Sequence, residues 1–377
     1  MINIFQPIVY DETIELLKKI HEDHWLGKGK LAVQFEESMK SYLGVRNFAT
    51  ASCASHIIEA VIRVSKFPKE SNIIIADNSF PILASVILSE GYICRIADVD
   101  ASTGNISLES VKDLIDVDTA AVFVTHYGGI PVDIEALRAV VGEKVKIYED
   151  SATALGTKLN KVSVGTNSDF SLWSFDAMKL LVAGEGGGFS SKDDDLFCAV
   201  KSHLYLGLSP KDKSGLDKSN SSHGMWWEYQ PVNFGTRSVF TDVQASYGLT
   251  SLKYIEDRLS RLSAIRRRYE ERISVPYISQ VTKVKEIQYS NYFFTLIVPN
   301  GKRDELAIYL KEKGIYSTLR YYPISKIKIY SEKSYSIGPL KGSEKFSRTC
   351  LNIPIHASLT DLEVDYIIDS INSFFNE

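Results

Sequence analysis

Between residues 47 and 190, short apolar runs alternate with segments whose apolar residues recur at helical spacing. That alternation constrains the fold more than any other feature, because it builds a mostly parallel sheet with helices packed on it. The strand candidates are residues 72–76, 94–98, 120–124, 145–149, 170–174 and 187–190. Several are apolar throughout rather than at every second position, which suits strands covered on both faces. A turn at Ser52-Cys53 opens a helix with Ile57, Ile58, Val61 and Ile62 on one stripe.

The pattern changes further on. Residues 208–224 are rich in Ser, Lys and Asp and read as a loop. Leu252, Ile255, Leu259, Leu262, Ile265, Tyr269 and Ile273 then recur at intervals of three and four, one long helix that stops before Pro276. Its Arg266-Arg267-Arg268 run reads as a solvated face. A strand at 292–298, a helix at 302–313 and a last helix opened by the capping box Thr360-x-x-Glu363 complete a smaller unit. A chain of 377 residues is long for one domain; the expected division is a large domain, 1–250, and a small one, 251–377.

A hydrophobic share of 44% and a charged share of 24% are ordinary for a soluble globular protein. Net charge is −4, with a pI near 6.0, which offers no electrostatic basis for a nucleic acid or an anionic membrane as partner. The first residues lack a basic then apolar stretch, and no apolar run approaches the roughly 20 residues that span a bilayer. Cys53, Cys94, Cys198 and Cys350 are scattered, as reduced thiols of a cytoplasmic protein are. His21 and His24 have no third ligand in view, so no metal is expected. The glycines at 184–188 precede a strand rather than open a helix, which argues against a dinucleotide loop.

Chemistry concentrates between Glu149 and Gly188. The strand at 145–149 runs into Glu149-Asp150, placing an acid at the C-terminal edge where open α/β sheets bind ligands. Next come Ser174-Phe175-Asp176-Ala177-Met178-Lys179 and Gly184-Glu185-Gly186-Gly187. Lys179 stands among Met178, Leu180, Leu181 and Val182, and burying an ammonium is costly. Desolvation lowers a lysine's pKa, and the neutral amine can form a Schiff base with a carbonyl.

These motifs resemble the DegT/StrS group of sugar aminotransferases, fold-type-I enzymes that use pyridoxal 5′-phosphate. The group's pattern is E-D-x-A, S-F-x-x-x-K and G-E-G-G, here Glu149-Asp150-Ser151-Ala152, Ser174 through Lys179, and Gly184 through Gly187. The similarity continues at Trp25-Leu26-Gly27-x-Gly29, at Thr241-Asp242-Val243-Gln244-Ala245 and at Asn352-Ile353-Pro354. It implies an α/β architecture, a large domain with a mostly parallel central sheet flanked by helices plus a smaller α/β C-terminal domain.

The resemblance also implies roles. Lys179 carries the cofactor and moves protons, and Asp150 pairs with the pyridine nitrogen. Ser174 and the helix start at Ser52-Cys53 hold the phosphate, joined by Asn233 from a partner subunit. Phe80 stacks on the ring, while His126, Tyr127, Glu185, Arg237 and Tyr322 stand in the substrate region. There are departures. Thr153 replaces a Gln or His near the phenolic oxygen, and Tyr322-Pro323-Ile324-Ser325 lacks a histidine after its proline. The implied reaction moves an amino group from an amino acid, L-glutamate by resemblance, to a nucleotide-linked keto-deoxyhexose. Such chemistry serves amino-sugar or surface-polysaccharide biosynthesis, in a homodimer with shared sites. Two alternatives are a sugar dehydratase on this fold, whose members have histidine in place of the lysine, and a non-catalytic binding protein. Intact Asp150, Ser174 and Lys179 weigh against the second.

Overall fold

The apolar runs build one eight-stranded sheet in the order Ser334–Tyr335, Ile93–Ala97, Asn72–Ala76, Thr119–Thr125, Lys146–Asp150, Phe170–Ser174, Gly187–Ser191, Ala49–Ala51. Gly187–Ser191 alone runs against the other seven. The structure is a computed structural model that describes residues 1–209, 225, 227–277 and 287–376. Residues 210–224, most of the expected polar loop, lie outside it. Strand residues alternate between two buried cores, with Ile73, Ile75 and Phe123 on one face and Ile74, Val122 and Val124 on the other. That two-sided burial is why Ile73 to Ile75 and Ala121 to Val124 are apolar at every position rather than at every second one. No helix among the described residues is long and apolar enough to cross a membrane.

Two helices, Asp242–Lys253 and Ile255–Arg272, meet at Tyr254, and the second carries the apolar stripe expected over 252–273. The first is opened by a capping box between Thr241 and Gln244. It buries Ala245, Ser246, Gly248 and Thr250 rather than an apolar stripe. A Cβ on Gly248 would lie 2.8 Å from the Phe35 ring, so this face works by close approach. Hydrophobic periodicity has nothing to register there.

The smaller layer pairs Phe294–Ile297 antiparallel with Cys350–Ile353. Its core joins Leu262, Ile265 and Tyr269 to Leu306 and Leu310 and to Ile367 and Ile371 of the final helix, Asp361–Asn376. That helix starts as expected, with Glu363 Oε2 accepting the Thr360 N–H at 2.8 Å. The chain weaves between layers. Ile2 bridges to Ile315, Ser334–Tyr335 extends the large sheet beside Ile93–Ala97, and the 250/251 cut falls inside a helix. Two acids, the buried Asp77 and the half-buried Asp98, fasten the layers together. Asp77 accepts the Ser325 N–H at 2.7 Å, the Ser325 hydroxyl at 2.9 Å and the Ser343 hydroxyl, while Asp98 accepts the Gly342 and Ser343 N–H groups at 2.8 and 2.7 Å. Ser325, standing where the resemblance expects a histidine, is therefore committed to the seam.

Candidate active site

Sheet register assembles the site. Asp150 ends its strand opposite Thr125 on one neighbour and Leu172 on the other. Two residues beyond Leu172, Ser174 lies in one cross-strand row with Gly187 and Ala51. Gly187 has no room for a side chain, because a Cβ there would sit 2.7 Å from the backbone N of Ala54. That is the start of helix Ala54–Ser65, whose N-cap Cys53 is extended and supplies no side-chain cap. The helix's first N–H groups and positive dipole end thus lie beside Ser174, an arrangement suited to a phosphate. Ser52 is held in place by Ser238, whose hydroxyl lies 2.7 Å from the Ser52 hydroxyl and 2.9 Å from His56 Nδ1.

Lys179 follows in the turn after Ser174, with its N–H donating to the Asp176 carbonyl at 2.9 Å. Its Nζ lies 5.3 Å from the centre of the Tyr292 ring, and it makes no ion pair among the described residues. Burial lowers its pKa, and the Arg320 charge adds to that, against the pull of Asp176 and Asp150. Asp150 is 5% exposed and also lacks an ion pair among the described residues; its Oδ1 accepts the Ala152 N–H at 3.0 Å. Burial raises its pKa, opposed by the Ala152 N–H, by the Lys179 charge and by the nearby His126. Both environments shift the balance toward the neutral forms, the free amine of Lys179 and the acid form of Asp150. Pyridoxal phosphate fits this donor set. Its aldehyde suits Lys179, its ring nitrogen suits Asp150, and its phosphate suits Ser174 with the Gly187–Ala54 cradle.

Other expected residues are placed differently. His126 is fully buried, its Nδ1 accepting the Val132 N–H at 3.0 Å. Nε2 therefore carries the proton and donates it to Glu149 Oε2 at 2.7 Å, leaving no ring nitrogen for a ligand. Burial alone would raise the Glu149 pKa, but hydrogen bonds from His126, Ser168 and Ser171 outweigh it and hold the carboxyl below its usual value. Tyr127 is 1% exposed and packs against Phe293 and Phe346 in the seam, with its hydroxyl bonded to Asn352. Neither side chain lines an opening, because both are spent on joining elements. Thr153 donates its hydroxyl proton to the His126 carbonyl at 2.7 Å, so it has none to offer a phenolic oxygen.

Phe80, Tyr322 and Glu185 are exposed. The Phe80 ring lies 5.9 Å from that of Tyr321, and the Glu185 carbonyl accepts from Gln244. Asn233 accepts weakly from Ser202, and the exposed Arg237 lies over the Tyr205 ring. These two residues make no contact with Asp150 or Lys179 of their own chain. Sequence reading missed Tyr292, Ser238 and Arg320, which reach the site from distant segments and carry no local signature.

The sequence profile of the DegT/DnrJ/EryC1/StrS aminotransferase family matches residues 7–372. A dTDP-4-dehydro-2,3,6-trideoxy-D-glucose 4-aminotransferase of Saccharopolyspora spinosa is 30% identical over 374 residues, 98% of this chain and 95% of that one. A GDP-perosamine synthase of Escherichia coli O157:H7 is 25% identical over 380 residues, 100% of this chain and 99% of that one. Among solved structures, the aminotransferase TlmJ from Streptoalloteichus hindustanus superposes with a TM-score of 0.91 at 28% identity, covering 100% of this chain and 99% of that one. Helicobacter pylori PseC gives a TM-score of 0.90 at 22% identity over 100% of this chain and 99% of that one, a likeness of fold.

Proposed function

Because this chain belongs to the DegT/DnrJ/EryC1/StrS aminotransferase family, we propose that it transfers an amino group from L-glutamate to a nucleotide-linked keto sugar, with Lys179 as the cofactor-bearing residue. The observation that carries this reading is a desolvated Lys179, without an ion pair among the described residues, in one site with a desolvated Asp150 at the C-terminal edge of the sheet. Bound pyridoxal phosphate supplies an electron sink and stores the amino group between the two halves of the reaction. Lys179 would hold the group through its side-chain amine, and the same amine would serve to move the proton at the reacting carbon. Asp150 keeps the ring nitrogen protonated. Ser174, Ser52, Cys53 and the Ala54 helix start grip the phosphate, and Phe80 walls the ring. Thr153 shapes the turn beside it without donating to the cofactor.

The names of similar proteins support the acceptor class, since one is a dTDP-linked 4-aminotransferase and another a GDP-perosamine synthase. The active unit is a homodimer. Among the described residues Trp227, Tyr229, Val232 and Phe234 are 56%, 57%, 66% and 98% exposed, an apolar segment that asks for a partner surface. Asn233 within it then reaches the partner's phosphate site, with Arg237, Glu185 and Tyr322 around the sugar nucleotide. The test is incubation with 15N-labelled L-glutamate and a panel of nucleotide-linked keto sugars, read by mass spectrometry. An amino sugar carrying the label is expected. A deoxy-keto product without nitrogen would make the protein a dehydratase, and no conversion with any pair would favour a binding protein.

A further inference from the structure

Among the described residues, the roles proposed above leave a cation beside Lys179, Arg320, without work. Arg320 forms no ion pair among the described residues, although it is only half-exposed. It belongs to a short wall of stacked groups. Lys179 Nζ faces the Tyr292 ring, that ring stacks on Phe5 at 5.0 Å, and the Arg320 guanidinium lies 5.5 Å from the centre of Phe5. Its Nη2 is 3.8 Å from Sδ of Met178, the residue next to the lysine. The backbone beneath it is pinned at two points, with the Arg320 N–H donating to Asn352 at 2.9 Å and the Tyr321 N–H to Asn78 at 2.7 Å.

A partly desolvated cation near a lysine disfavours that lysine's charged form, and it costs free energy unless an anion answers it. Arg258 also stands near Lys179, but its guanidinium is consumed by the carbonyls of Leu180 and Ser251 and the Ser251 hydroxyl. Among the described residues Arg320 has no such partners beyond the weak sulfur contact. We propose that Arg320 receives the α-carboxylate of the amino donor, a bidentate contact that a guanidinium makes well. The assignment rests on the aminotransferase reading above. The carboxylate is the right anion for this place because it is one bond from the carbon whose amine replaces Lys179. The diphosphate of a nucleotide sugar is held a full sugar ring away from its reacting carbonyl.

The test follows the visible band of the cofactor-loaded enzyme during the donor half-reaction, with L-glutamate alone, in wild type, Arg320→Gln and Arg320→Lys. Loss of a charged, paired contact should raise the half-saturating glutamate concentration about 10- to 100-fold in Arg320→Gln. Arg320→Lys, which keeps the charge without the fork, should fall between. The second reading is preference for L-glutamate over 4-aminobutyrate, which lacks the α-carboxylate; it should collapse in Arg320→Gln while half-saturation by the keto sugar in the second half-reaction stays put. A merely structural arginine would weaken both donors alike. Unchanged glutamate saturation in both variants overturns the assignment. So does a loss confined to the sugar half-reaction, which would give Arg320 to the diphosphate. A wild type that responds to no amino donor sinks the aminotransferase reading first, and this one with it.

Discussion

Replacing Gly187 by alanine tests the phosphate cradle directly. The new Cβ would meet the Ala54 backbone N at 2.7 Å and Ile57 Cδ1 at 2.8 Å, between a strand paired on both sides and a helix start that are both anchored in the core. Relief to the 3.4 Å of ordinary contact requires a shift of about 0.7 Å, the difference between the two distances, and a packed interior yields that reluctantly. A hydrogen bond near 2.9 Å stretched by that much is largely lost, since about 3.5 Å is its limit. Losing one charge-assisted bond of this kind costs about 1.5–3 kcal/mol, or about 10- to 100-fold in affinity. The fold itself should lose about 1–3 kcal/mol from overpacking. The assay is a spectrophotometric titration of apoprotein with pyridoxal phosphate and, in parallel, with pyridoxal. Gly187→Ala should weaken the phosphorylated ligand by the stated factor and leave pyridoxal unchanged. Equal weakening of both ligands, or of neither, would refute the reasoning that places the phosphate at this helix start.

Three further outcomes follow from the same geometry. Asp150 has a raised pKa, so its contribution to apoprotein stability is present below the usual carboxylate range and is lost as pH rises through its folded value; melts of apo Asp150→Asn against wild type should shift in the variant's favour across that rise, while turnover of the loaded variant drops about 10²-fold or more. Glu149 has a lowered pKa, so its contribution is present above the unfolded value and is lost as pH falls through the folded one; Glu149→Gln should cost about 1–3 kcal/mol in neutral urea melts and flatten the acid limb. Phe234→Asp puts a charge at the most exposed apolar position of the segment proposed for the dimer and should shift sedimentation toward monomer, whereas an unshifted dimer would remove Phe234 from the interface.

Legibility followed the physics of each element. Strands such as Asn72–Ala76 and Phe170–Ser174 stand where their apolar runs stand, because burial on both faces leaves a continuous signal. Helix Asp242–Lys253 did not register, because Ser246, Gly248 and Thr250 pack by small size rather than by hydrophobicity. The placement of Asp150 at a strand's end and of Lys179 in a buried stretch was readable, since both are local facts. Tyr292 and Arg320 were not, since they lie more than a hundred residues from Lys179 and only the folded seam brings them to it. His126 and Tyr127 follow a strand at its ligand-binding edge, yet their side chains turn to Glu149 and Asn352 instead. Register fixes where a backbone sits; the partners of a side chain decide what remains for a ligand.

We propose that one lysine, Lys179, carries the cofactor in the site it shares with Asp150 and Ser174. Borohydride reduction of the pyridoxal-phosphate-loaded protein, followed by proteolysis and peptide mass spectrometry, reads that claim at residue level. The expected result is a single reduced phosphopyridoxyl adduct on the peptide spanning Ser174–Lys179, localised to Lys179 and missing from Lys179→Ala. An adduct fixed on a different lysine, or a loaded protein that yields none after reduction, would contradict it.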